Sequence, residues 1–72
     1  MTLEMSDVEI RIIQAINTLG RNAFTKKIAK EVKISFPTAS KYLSVLEGRG
    51  VIKRDVSRLP YVFWEIIDKE AL

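Results

Sequence analysis

Cysteine and histidine are both missing from this chain of 72 residues. Without cysteine there are no disulfides and no thiolate metal site, and without histidine the common nitrogen ligand of zinc is gone too. The same two gaps remove Cys–His and Ser–His catalysis. The acids are scattered and no phosphate-binding glycine loop occurs, so neither an enzyme nor a cofactor is expected. No apolar run approaches the roughly 18 residues of a membrane span. The first residues, Met-Thr-Leu-Glu-Met-Ser-Asp, lack the apolar segment of a signal peptide, and residence in the cytoplasm is the expectation. Glycine and proline are sparse, at three and two. What remains is 47% hydrophobic and 29% charged, which is globular rather than disordered composition. The length makes one small domain, 1–72, whose thin core calls for tight packing or a second copy of the chain.

The net charge of +3 hides an asymmetry. Residues 1–20 carry Arg11 against Glu4, Asp7 and Glu9, and residues 59–72 carry Lys69 against Glu65, Asp68 and Glu70, so each end is −2. Residues 21–58 hold ten cations against Glu31, Glu47 and Asp55, which makes the middle +7. A cationic middle between acidic ends suggests one face built for a polyanion, although solvated lysines that keep a small protein soluble give the same count.

Apolar spacing divides the chain into three helices and a hairpin. The first helix is expected over 6–19. Ser6 and Glu9 form a capping box, with Met5 and Ile10 placed as a hydrophobic staple. Val8, Ile12, Ile16 and Leu19 share one helical face, and Gly20 suits a left-handed end. Ile10 and Ile13 fall off that stripe as surplus apolar surface. A second helix spans 25–32, capped by Thr25, with Ile28, Ala29 and Val32 inward. Lys33-Ile34-Ser35 is a three-residue break. Ser35 caps a third helix, 36–49, with Pro37 in its first turn, where a missing N–H costs nothing. Ala39, Leu43 and Leu46 point inward, leaving Phe36, Thr38, Ser40, Lys41 and Ser44 outward. Residues 51–67 read as a β-hairpin turning at Ser57-Arg58-Leu59-Pro60, with basic residues Lys53, Arg54 and Arg58. Val62, Trp64 and Ile66 face the core with Ile52, while Phe63 and Ile67 are more exposed. A frayed tail is expected at 68–72. The fold class is therefore mainly α with a small β-hairpin.

Residues 25–54 resemble the winged helix-turn-helix family of prokaryotic transcription regulators. The likeness is carried by Ile28-Ala29, Ile34-Ser35, Thr38-Ala39-Ser40-Lys41-Tyr42-Leu43, Leu46-Glu47 and Gly50-Val51-Ile52-Lys53-Arg54. The pattern is similar to MarR-, ArsR- and Lrp-type domains and to small regulators of archaea, their viruses and plasmids. The resemblance implies three helices plus a two-stranded wing, with double-stranded DNA as the partner. It places Thr38, Ser40 and Lys41 of the recognition helix on the DNA, flanked by Phe36, Pro37 and Ser44. It places Arg54 and Arg58, with Lys53, on a wing that meets phosphate or the minor groove. Thr25 and Lys26 stand at a helix N-terminus, which favours a phosphate.

Each residue also has a plainer role. Thr38 and Ser40 suit a helix start, and Lys41 suits solvent. Phe36 either closes the core rim or packs on thymine methyls. Tyr42 and Trp64 read as packing. Phe63, Ile10 and Ile13 are either ordinary surface or the face of a homodimer, the form in which DNA sites are commonly read. No small-molecule ligand is evident. A winged helix that binds only protein is the alternative function; RNA binding lacks an aromatic platform.

Overall fold

The structure is a computed structural model that describes residues 5–67. The tail expected at 68–72 lies outside the described residues. Three helices and a two-stranded antiparallel sheet follow in chain order: α1 (Asp7–Leu19), α2 (Thr25–Val32), α3 (Phe36–Gly48), β1 (Ile52–Asp55) and β2 (Phe63–Ile66).

Local chemistry sets the helix ends. The Ser6 hydroxyl accepts from the Glu9 N–H at 3.3 Å, and the Glu9 carboxylate accepts from the Ser6 N–H at 3.1 Å. These two bonds are the capping box, a type of feature worth about 1 kcal/mol. Gly20 ends α1 with φ 57° and ψ −121°. That conformation has positive φ but is not the left-handed helical one expected, and it suits glycine because a Cβ would be strained there. A 3-10 turn, Gly20–Asn22, follows. α2 ends at Lys33, which is left-handed (φ 64°, ψ 46°) although it carries a side chain. Its N–H reaches back to Lys30, and Ile34 reaches back to Ala29. This sharp reversal lets α3 start three residues later. Ser35 caps α3, accepting from the Thr38 N–H at 3.3 Å.

The core joins Ile12, Ile13 and Ile16 of α1, Ile28 of α2, and Ala39, Leu43 and Leu46 of α3 to Val51, Ile52 and Trp64. Ile13 is only 2% exposed and does not belong to a surplus face. α1 is covered by α2, by α3 and by β2, so its buried arc is wider than one stripe. Tyr42, Val62 and Ile66 are half-buried against the same core.

The hairpin register pairs Ile52 with Ile66, Lys53 with Glu65, Arg54 with Trp64 and Asp55 with Phe63. Opposed residues share a face, so Ile52, Ile66, Arg54 and Trp64 lie on one side. Pairing covers only four residues on each side of the expected 51–67 hairpin. The Leu59–Pro60 peptide in the connecting loop is cis. The segment between α1 and α2 adds a feature not expected from sequence. Phe24 bridges Phe63 antiparallel, Trp64 N–H donates to the Ala23 carbonyl at 2.8 Å, and Thr25 N–H donates to the Val62 carbonyl at 3.2 Å. β2 is thereby held along both edges.

Candidate nucleic-acid interface

α3 presents a stripe set by its 3.6-residue period. Pro37, Lys41, Ser44 and Gly48 recur at i, i+4, i+7 and i+11, with Thr38 and Val45 beside them, and all six are exposed. Ala39, Leu43 and Leu46 occupy the opposite, buried side. Ser40 is half-buried at the margin rather than fully outward. Phe36, at the helix start, is 54% exposed, so it does not close the core rim. Apart from Lys41 the stripe is short and uncharged. Val45 was not singled out from sequence, although it stands one turn beyond Lys41 and two turns beyond Thr38.

The cations fall into two groups. Between Arg21 and Leu46 stand Arg21, Lys26, Lys27, Lys30, Lys33 and Lys41, with Glu31 as the one acid. All six cations are exposed, and none forms an ion pair among the described residues. Four of them belong to α2 and its left-handed cap, and α2 packs directly against α3.

The remaining cations of the middle segment are matched to carboxylates. Lys53 lies 3.6 Å from Glu65 across the register. Arg58 lies 3.8 Å from Asp55, and its guanidinium stands 3.5 Å from the Phe63 ring centroid. Phe63 in turn packs with Phe24, which meets Tyr61 edge-on. Arg54 donates two hydrogen bonds to Glu47, at 3.0 and 2.9 Å, and lies 5.2 Å from the Trp64 ring centroid. The fork on Glu47 raises the Arg54 pKa above its ordinary value, by hydrogen bonding first and charge second. Arg49 meets the buried Glu9 at 3.3 Å. An exposed pair is worth about 1 kcal/mol or less, so Lys53 and Arg58 exchange their carboxylates for a phosphate more readily than Arg54, whose pair is bidentate. The displaced carboxylate stays close by, however, and offsets the gain. The positive field therefore resides on α2, the turn and Lys41 more than on the hairpin.

Thr25 is withdrawn from the surface altogether. It is 8% exposed, its hydroxyl accepts from the Trp64 indole N–H at 2.9 Å, and its own N–H is taken by Val62. The α2 N-cap is Phe24, with no side-chain cap bond. Neither the capping role nor the phosphate role expected of Thr25 is open to it. Lys26, the next residue, is exposed.

Asp55 organises the hairpin loop. Its carboxylate accepts from the Ser57 hydroxyl at 2.6 Å and from the Ser57 N–H at 2.9 Å. These bonds, hydroxyl first, with help from Arg58 and Lys53, hold its pKa below the usual carboxylate value. Val56, Leu59 and Tyr61 around the same loop are exposed.

Among the described residues, no group of three or more acids is placed to hold a metal ion. No described helix is long and apolar enough to cross a membrane. Comparison with protein-family models, with curated proteins and with solved structures finds no match to the chain.

Proposed function

We propose that the protein is a DNA-binding transcription regulator of winged helix-turn-helix build, with α3 entering the major groove and the 51–67 hairpin acting as the wing. The observation that carries this reading is the short-chained outward stripe of α3 beside the unpaired lysines of α2. The major groove is about 12 Å wide and a helix with its side chains is about 10–12 Å across. A face built from Pro37, Thr38, Ser44 and Gly48 lets the backbone come close, and Lys41 supplies the reach.

In this reading Thr38, Lys41 and Ser44 meet base edges, with Phe36, Pro37 and Ser40 at the margin. Lys26, Lys27, Lys30 and Lys33 neutralise phosphates. Lys53, Arg54 and Arg58 shape the wing first and meet phosphate second, because each already holds a carboxylate. The acting unit is a homodimer on two half-sites about 34 Å apart. The exposed Ile10, Val56, Leu59, Tyr61 and Ile67 are available for its contact.

Fluorescence polarisation of labelled duplex in rising salt tests the mechanism. About five neutralised phosphates per protomer give a log–log slope near −4.5. Lys26→Ala lowers affinity evenly across sequences and reduces the slope by about 1, whereas Lys41→Ala lowers discrimination between sites. Affinity that ignores salt, or no affinity for any duplex, would count against the reading. The apolar loop residues Val56, Leu59 and Tyr61 favour one alternative, a winged-helix module that binds only protein. In that case duplex binding is lost while a protein partner is retained.

A further inference from the structure

We infer that the protein recognises its DNA site through thymine methyl groups, with Val45 as a specificity-determining residue beside Thr38. The inference rests on the proposed entry of α3 into the major groove.

α3 carries few side chains that read a base by hydrogen bonds. Arginine, asparagine and glutamine read a base through two hydrogen bonds at once, and acids accept from cytosine. Between Phe36 and Gly48 there is no Arg, Asn, Gln or Asp, and the one Glu, Glu47, is engaged by Arg54. Lys41 can donate to guanine but is a point charge without a planar fork, and Ser44 offers a base a single hydroxyl. Thr38 accepts from the Ser35 hydroxyl at 2.8 Å, which turns its oxygen back toward the helix start. Its methyl and one hydroxyl hydrogen are what it has left to offer a base.

Val45 completes the row. It is 42% exposed on a helix whose core contacts are already made by Leu43 and Leu46, both fully buried. Val45 belongs neither to the buried core nor to the half-buried apolar residues packed against it. The apolar feature that base pairs present in the major groove is the thymine C5 methyl. The row Thr38–Lys41–Val45 thus sets a methyl, a cation and two further methyls along one side of the helix. The uncompensated lysines of the neighbouring α2 favour a polyanion over an apolar protein as the occupant of this face.

The test uses the full chain and a duplex selected from a random pool. That duplex is resynthesised with deoxyuridine replacing thymidine at each position in turn. Uracil keeps every hydrogen-bonding group and the phosphate charge, and lacks the methyl alone. Affinity is expected to fall about four-fold for each contacted methyl. Val45→Ala is expected to lose a similar factor on the thymine duplex and nothing further on the duplex with uracil at the contacted position. Circular dichroism checks that the variant keeps its helices, and the uracil scan of the unaltered protein stands whether or not it does. Equal, salt-dependent affinity for thymine and uracil duplexes overturns the methyl reading and leaves the proposed function intact. An equal loss from Val45→Ala on both duplexes overturns the part given to Val45. Failure to bind the thymine duplex at low salt overturns both, and is told apart because it appears before any base is changed.

Discussion

Thr25→Val is the substitution that separates a structural from a DNA-facing role most cleanly. Valine matches threonine in shape and replaces the hydroxyl with a methyl. Among the described residues no buried side-chain nitrogen or oxygen lacks a partner. The substitution creates such an atom, because the Trp64 indole N–H, 5% exposed with its residue, loses its acceptor. Leaving one buried donor unsatisfied costs about 1–3 kcal/mol. In a domain of this size each kcal/mol lowers Tm by about 4–8 °C. Trp64 is the sole tryptophan, so its fluorescence reports the unfolding directly. Thr25→Ser keeps the acceptor and stays close to the parent. Trp64→Phe removes the donor, so the double variant Thr25→Val with Trp64→Phe is less destabilised than the two single changes summed. On the proposed function, DNA affinity measured well below Tm is expected to be unchanged. A Thr25→Val protein as stable as the parent, or one that is stable yet has lost its salt-dependent affinity, would refute the assignment.

Other outcomes follow from the same geometry. Glu9→Ala removes half of the capping box and the carboxylate facing Arg49, and urea unfolding should show a loss above about 1 kcal/mol, beyond the cap alone. Lys33→Gly relieves a left-handed residue that carries a Cβ, and chemical denaturation should show a gain of about 0.5–1 kcal/mol, with Lys33→Ala showing none. The pKa of Asp55 is lower in the folded state than in the unfolded chain, so its contribution is present at neutral pH and is lost as pH falls through the folded value. An NMR titration should show Asp55 protonating below the ordinary carboxylate range, and Ser57→Ala should bring it back toward that range.

Features governed by neighbouring residues were legible in the sequence. The Ser6–Glu9 box, the Ser35 cap with Pro37 behind it, and the inward row Ala39, Leu43 and Leu46 all depend on contacts within a few positions. Distant partners explain the rest. Thr25 sits where a cap belongs, but Trp64, 39 residues on, takes its hydroxyl. Ile13 falls outside a single stripe because α1 is enclosed from more than one direction. Composition counts Lys53, Arg54 and Arg58 as available charge. Their neutralisation depends on cross-strand register for Lys53 and on folding of the hairpin against α3 for Arg54, and neither shows in a charge count. The 23–25 bridge leaves no local signature, since its value comes entirely from β2 lying alongside. Val45 was legible in principle through its spacing from Thr38 and Lys41.

The bonds from residues 23–25 to residues 62–64, together with the Glu9–Arg49 pair 40 positions apart, bear on how the chain is made. Synthesis runs from the N-terminus, so α1, α2 and α3 leave the ribosome before the strand that fastens the start of α2 exists. In that interval α1 and α3 have their side-chain caps while α2 has none, and the core lacks Trp64, its largest side chain. Closing so long a loop costs entropy that local contacts alone do not return. Completion of the native state is therefore tied to release of the final strand, and a nascent chain halted before Val62 cannot form the fastening that fixes the approach to α2.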